Sequence, residues 1–215
     1  LGWILMSAIA TVPLLIAIPG LTFTDAFFET MSGLSTTGAT VLVGVEHLPA
    51  SINLWRHALN WYGGMGIIVL VVAILPLLGV GGMQVYKAET PGPMKDEKLT
   101  PRITQTARAL WFVYFLITVA CILSLKLAGM NWFDAVCHAF AALALGGFST
   151  YDASVGHFDS PAIEAVLIVF MLIAAMNFSR HFIAWQQKSL RTYREDSEAR
   201  ALLVVIGLST LGLAL

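Results

Sequence analysis

The sequence predicts an all-α polytopic membrane protein built from tandem repeats of membrane helix, re-entrant loop and membrane helix. Three observations carry that reading: an apolar composition, an alternation of basic and base-free segments, and an internal duplication from Asp25 to Asp134, an offset of 109 residues.

Of 215 residues, 58% are hydrophobic and 12% charged, with a mean hydropathy of +0.80. A soluble domain of this size could not hide so much apolar side chain behind a wetted surface. Four runs carry no charge: Leu1 to Phe23, Ile67 to Tyr86, Ala109 to Leu125 and Ala165 to Phe178. Runs of about 18 to 20 residues cross roughly 30 Å of hydrocarbon as helix. The lipid bilayer is therefore the expected surrounding. A net charge of −1 gives no ground for a nucleic-acid partner, and none is expected. Cys121 and Cys137 sit in apolar surroundings without metal-ligand spacing and read as small buried hydrophobes. The chain opens inside one apolar stretch and closes inside another, so both ends read as cuts through helices of a longer protein.

Basic residues set the topology. Lys87, Lys95, Lys98 and Arg102 cluster in one stretch; Lys188, Arg191, Arg194 and Arg200 cluster in another. No Lys or Arg falls between Leu21 and Trp55 or between Ala128 and Ser179. Positive residues favour the cytoplasmic side, which places the two clusters inside and the two base-free segments outside. Helices then run outward over 1–18, inward over 51–82, outward over 104–129 and inward over 160–188, with a further outward helix from Ala201. The boundaries expected are a first repeat at 1–82, a cytoplasmic link at 83–103, a second repeat at 104–188, a link at 189–200 and the start of a third repeat at 201–215. Glu89-Thr-Pro-Gly-Pro-Met and Thr100-Pro mark the first link as chain that cannot continue a helix.

Each external segment opens with a short apolar stretch, from Phe23 in one and from Trp132 in the other. About 11 helical residues reach roughly 17 Å, around half a bilayer. Such a helix enters without crossing, and the glycine-bearing chain that follows must return. The two segments align over Asp25/Asp134, Ala26/Ala135, Leu34/Leu143 and Gly38/Gly147, with Phe23 on Trp132 and Thr40 on Ser149.

Irregular backbone at membrane depth is tolerated only where protein buries it or where it lines a polar path. Backbone carbonyls can replace the hydration shell of a monovalent cation. Thr36-Thr-Gly-Ala-Thr40 and Leu145-Gly-Gly-Phe-Ser149 suit this, since glycine permits the dihedrals that turn successive carbonyls one way. Each short helix also aims its partially negative C-terminus at mid-membrane, favouring cations. The architecture is then potassium-channel-like, with re-entrant pore loops. The competing reading is that the glycines serve helix packing and the threonines cap a loop.

At Ser32-Gly-Leu-Ser-Thr-Thr-Gly-Ala-Thr40 the chain resembles the TrkH/TrkG-type bacterial potassium uptake proteins of the Trk/Ktr/HKT superfamily. The likeness continues at Trp61-Tyr-Gly-Gly-Met-Gly-Ile-Ile68, Val80-Gly-Gly-Met-Gln84, Ala88-Glu-Thr-Pro-Gly-Pro-Met94, Leu145-Gly-Gly-Phe-Ser-Thr150 and Asn177-Phe178. The resemblance implies four such repeats around one pore, with potassium as the transported ion. It further implies a homodimer of the full-length protein, a cytosolic TrkA-type nucleotide-binding regulatory subunit, and the bacterial inner membrane as the location. It assigns the selectivity filter to Thr36, Thr37 and Gly38 in the first repeat and to Leu145, Gly146 and Gly147 in the second. The second filter has no Thr before its glycines, so the ring is expected to be asymmetric.

The remaining polar residues have more ordinary expectations. Asp25 and Asp134 are read as helix N-terminal caps, and Arg56 and His57 as snorkelling or pairing at the interface. Glu29 and His138 occupy equivalent positions and are expected to tie their short helices to neighbours. Arg180 and His181 are read as anchors. Glu46, His47, Asp152, His157 and Asp159 fall in external loops. Gly63-Gly-Met-Gly66 serves either close packing or a bend. No metal cluster, nucleophile elbow or nucleotide loop points to an enzyme. The functional alternative is an alternating-access cation symporter of a different fold, which calls for inverted repeats, whereas these two run parallel.

Overall fold

The computed structural model describes residues 2–74, 99–189, 191–194 and 196–214, and every regular element among them is helical. Helix α1 (Gly2–Ala17), α2 (Phe23–Leu34) and α3 (Ala50–Ile74) form the first repeat. Helix α4 (Leu99–Leu127), α5 (Trp132–Ala144) and α6 (Pro161–Ala175) form the second. They are followed by α7 (Phe178–Gln187), α8 (Arg191–Arg194) and α9 (Ser197–Ala214). The motifs Val80 to Gln84 and Ala88 to Met94 lie outside the described residues.

The two short helices start alike. Thr22 accepts a hydrogen bond from the Asp25 N–H at 3.1 Å, and Asn131 accepts one from the Asp134 N–H at 2.9 Å. The caps are thus Thr22 and Asn131; Asp25 and Asp134 stand at the third helical position, where a carboxylate still meets the positive end of the helix dipole. With 12 and 13 residues, α2 and α5 extend about 18 and 20 Å. Neither crosses. The 21-residue stretch Ala107–Leu127 of α4, at a mean hydropathy of 2.1, is long and apolar enough to cross by itself.

Helix α3 is the centre of the assembly, packed on α2 of its own repeat and on α4 and α5 of the next. The sequence permits this through two adjacent glycines. A Cβ built on Gly63 would overlap the carbonyl oxygen of Leu34, the last residue of α2. One built on Gly64 would stand 3.0 Å from the Cα of Ala144, the last residue of α5, and 3.0 Å from the Tyr114 hydroxyl. One helical step therefore receives the ends of both re-entrant helices. Since α3 continues unbroken through this step, Gly63 and Gly64 serve close packing rather than a bend. Around them Trp61 stacks on Phe140 at 5.1 Å and donates to the Thr118 hydroxyl at 3.0 Å. Tyr114 donates to the Trp61 carbonyl at 3.2 Å. Cys121 and Cys137 are buried free thiols in this packing.

Two helix boundaries differ from the sequence reading. Helix α4 begins at Leu99 and includes Pro101 in its first turn, where a missing N–H costs nothing; the first link therefore ends earlier than expected. The inward helix expected over 160–188 is broken. Met176 takes an extended conformation (φ −79°, ψ 153°) that ends α6, and α7 starts afresh at Phe178. The carbonyl of Ile173 accepts the Met176 N–H at 3.1 Å and also accepts from His181 Nε2 at 2.9 Å. His181 Nδ1 in turn accepts from the Tyr193 hydroxyl at 2.8 Å. Arg180 lies 3.7 Å from the Asp196 carboxylate. Arg180 and His181 thus tie α7 to the chain after it, and His181 ties it to α6 before it as well. On the outside of the bundle, α1 leaves Ile4, Leu5, Met6, Ile9, Val12 and Ile16 exposed, a lipid-compatible surface.

The glycine step can be tested directly. Gly63→Ala is expected to destabilise by about 1 to 3 kcal/mol, the usual cost of overpacking, read as thermal unfolding of the full-length protein in detergent. Gly66→Ala, whose Cβ would make an ordinary 3.4 Å contact with Trp3, is expected to be neutral or to gain up to about 1 kcal/mol from helix propensity.

Candidate functional site: two re-entrant loops back to back

Both short helices end in the same way. The Thr37 N–H bonds the Ser32 carbonyl at 2.9 Å and the Thr36 N–H bonds Gly33 at 3.0 Å. At the equivalent positions, Gly146 bonds Ala141 at 3.0 Å and Leu145 bonds Ala142 at 3.2 Å. These paired bonds form a Schellman termination, which satisfies carbonyls that a helix end otherwise leaves bare. The residue that must turn left-handed is normally glycine, but here it is Thr36 in one copy and Leu145 in the other, each at φ 54°. A side chain there costs about 1 kcal/mol or more.

Two residues further on, Gly38 and Gly147 are left-handed again, at φ 72° and 92°. The pattern of hand therefore repeats at 36/38 and 145/147. A strand with negative φ throughout points successive groups to opposite sides; alternating the hand breaks this and lets neighbouring carbonyls turn to a shared side. The loops also touch. A Cβ on Gly38 would overlap the Gly146 carbonyl oxygen and lie 3.3 Å from the Gly147 Cα. Of the six filter residues read from sequence, Thr37, Leu145 and Gly147 are exposed, Thr36 and Gly38 half-buried, and Gly146 buried.

Each loop is braced from its own short helix, again at equivalent positions. In the first, the Thr40 hydroxyl donates to Glu29 at 2.9 Å, and the Val41 N–H donates to it at 3.2 Å. In the second, His138 Nδ1 lies 2.9 Å from the Asp134 carbonyl, which can only accept. Nδ1 therefore carries the proton, and Nε2 accepts from the Ser149 hydroxyl at 3.1 Å. Asp134 adds a brace that the first copy lacks, accepting from the Thr150 and Tyr151 hydroxyls at 2.7 and 2.9 Å.

Arg56 does not snorkel. It is 1% exposed, with Nε 2.7 Å from Glu29, Nη1 3.0 Å from Asn53 and Nη2 3.2 Å from the Thr40 hydroxyl. Its Cζ lies 4.5 Å from the Phe148 ring centre, so one guanidinium ties the first loop to the second. The sequence carries a signal for this. Asn53, Arg56, His57 and Asn60 share one face of a helix inside the membrane, where polar side chains are expensive and are kept for a role.

At the outer surface Asp152 joins the two repeats by accepting from the Gly44 and Val45 N–H groups at 2.6 and 3.1 Å. Its own N–H donates to Glu46 at 3.2 Å. The two N–H donors hold the Asp152 carboxyl below its ordinary value of 3.8.

The family model described as TrkH, cation transport protein, matches residues 1–215. The chain belongs to the TrkH family of cation transport proteins. It is 54% identical over 207 residues to a Trk system potassium uptake protein TrkH of Halomonas elongata, covering 96% of this chain and 43% of that protein. The Escherichia coli TrkH is 53% identical over 206 residues, covering 95% and 43%. The crystal structure of the potassium transporter TrkH from Vibrio parahaemolyticus aligns with a TM-score of 0.84 at 46% identity, over 96% of this chain and 42% of that one. The chain thus spans less than half the length of these relatives. The TrkH fold is an all-α membrane fold, as the composition and the tandem repeat imply.

Removing the buried guanidinium should be severe for this TrkH-family chain. Arg56→Met is expected to cost about 3 to 5 kcal/mol, because Glu29 is left as an uncompensated buried charge. Adding Glu29→Gln should recover at least about 1 kcal/mol of that loss, the coupling expected of contacting residues; thermal unfolding of the four proteins of the cycle checks both. For Asp152 the sign follows from its depressed carboxyl. Its contribution is present above 3.8 and disappears as pH falls through the lower folded value. Asp152→Asn should therefore lower the melting temperature at pH 7, and the gap to wild type should close below that value.

Proposed function

We propose that this chain supplies two of the filter segments of a potassium-translocating pore. In this reading Thr36, Thr37 and Gly38 with Leu145, Gly146 and Gly147 present backbone carbonyls to a dehydrated ion. The observation that carries it is the repeat of left-handed residues in the same register of two loops that meet backbone to backbone. Irregular chain so placed is what a carbonyl-lined path requires. The C-termini of α2 and α5 end at these loops and add negative dipole potential favourable to a cation. Phosphoryl, redox or hydrolytic chemistry has no part in it.

The full-length protein is read as four such repeats around one axis, of which 1–82 and 104–188 are the first two and 201–215 opens the third. The links 83–103 and 189–200 face the cytoplasm, where their basic residues offer a docking surface to a TrkA-type nucleotide-binding regulator. In the same reading the full-length protein works as a homodimer in the bacterial inner membrane. The alternating-access reading calls for inverted repeats and is disfavoured because a basic cluster follows each repeat, so that both short helices enter from the same side.

The test is ion uptake by the full-length parent in a strain lacking its own potassium uptake systems, comparing wild type with Gly38→Ser. The side chain would collide with the Gly146 carbonyl. Potassium uptake rate or preference over sodium should fall about tenfold or more, the equivalent of about 1.4 kcal/mol of lost coordination. An unchanged rate and preference would remove the filter assignment.

A further inference from the structure

Asn60 lies on α3, one turn before the Gly63–Gly64 step, and is fully buried. Neither its carboxamide oxygen nor its nitrogen has a partner. The second loop rests on it. A Cβ built on Gly146 would overlap Asn60 Nδ2 and stand 2.7 Å from its Cγ and 3.0 Å from its Oδ1. Gly146 is thereby clamped, with its Cα against Asn60 and its carbonyl oxygen against Gly38.

His57 stands one turn earlier on the same face and is also fully buried. Its Nδ1 donates to the Asn53 carbonyl at 2.6 Å, and Nε2, which makes no well-formed hydrogen bond, faces the backbone of Phe148. Its ring lies edge-on to Phe148, with centroids 6.2 Å apart. The second loop therefore has a polar, unsatisfied wall on the side away from Gly38. These atoms gain no hydrogen bond in return for their desolvation, and what Asn60 supplies to the second loop is bulk against the Gly146 Cα. The first loop has no such wall, being held by Glu29, Thr40 and Arg56. Counted from the helix starts, the counterpart of Asn60 on α6 is Met171. It borders, with Leu145 and Gly147, an open cavity of about 390 Å3.

We propose that Asn60 is a positioning residue that sets ion preference. It bears on Gly146 from behind and fixes how far that segment's carbonyls stand toward the ion path. The inference rests on reading the loops as filters.

The test uses the full-length protein in proteoliposomes, with rubidium and sodium fluxes measured separately for wild type, Asn60→Ala, Asn60→Ser, Asn60→Leu and Gly38→Ser. Asn60→Ala opens space behind Gly146 and should lower the rubidium-to-sodium ratio about three- to tenfold, the size of one modest contact. Asn60→Ser should shift it the same way and carries the test if the alanine protein does not accumulate. Asn60→Leu, similar in size and branching, should keep the ratio within about twofold of wild type, its volume being nearly conserved. If both fluxes fall together with the ratio unchanged, or if leucine shifts the ratio as far as alanine, the positioning role is overturned. If Gly38→Ser shifts the ratio and the Asn60 variants do not, this inference alone fails. If Gly38→Ser leaves the ratio unchanged, the filter reading itself fails.

Discussion

A helix that stops halfway through a bilayer leaves carbonyls that hydrocarbon cannot satisfy. The whole arrangement follows from how this chain meets that constraint twice. Each re-entrant helix closes its end with backbone bonds from residues 36 and 37 or 145 and 146, accepting left-handed strain at Thr36 and Leu145. The chain that follows is still irregular, and each loop finds its neighbour in the other loop. The contact of Gly38 with Gly146 is thus a structural necessity before it is a functional one. Because both loops need α3 for support, α3 needs Gly63 and Gly64, and the two repeats cannot separate without exposing their ends.

Buried charge works to the same purpose. Glu29 and Arg56 are nearly inaccessible to water, and such a pair seldom stabilises a fold over a well-packed apolar substitute. Its geometry explains its presence here. The carboxylate gathers Thr40 and Val41, and the guanidinium reaches Phe148 in the other repeat. A hydrophobic pair could fill the volume but could not orient peptide groups.

Much of this was legible in the sequence, and the limits have physical causes. The duplication from Asp25 to Asp134 located both loops, because capping, short-helix length and glycine placement are local properties that a pattern records. Membrane class followed from composition. The break at Met176 was hard to read because Ala165 to Met176 is uniformly apolar and α6 ends without a proline or glycine, Asn177 being the one polar residue at the break; His181 reaches the Ile173 carbonyl from eight residues away. For Arg56 pairing was foreseen and burial was not, because a lone base near a helix end looks like an interfacial residue. Its burial depends on Glu29 and Thr40, which approach only once the loop has folded. Asn60 carried no signal of its own, only membership of a polar stripe with Asn53, Arg56 and His57.

The braces at Glu29 and His138 occupy the same place in a duplicated unit yet use opposite chemistry: a carboxylate neutralised by arginine in one, a neutral imidazole in the other. The two copies are therefore not interchangeable. A chimera that put α2 and its loop alone in place of α5 and its loop would set a carboxylate at the second position, where α6 offers no guanidinium to meet it. The order of the re-entrant segments along the chain is thereby fixed, and any reshuffling must carry the neighbouring helix with the segment.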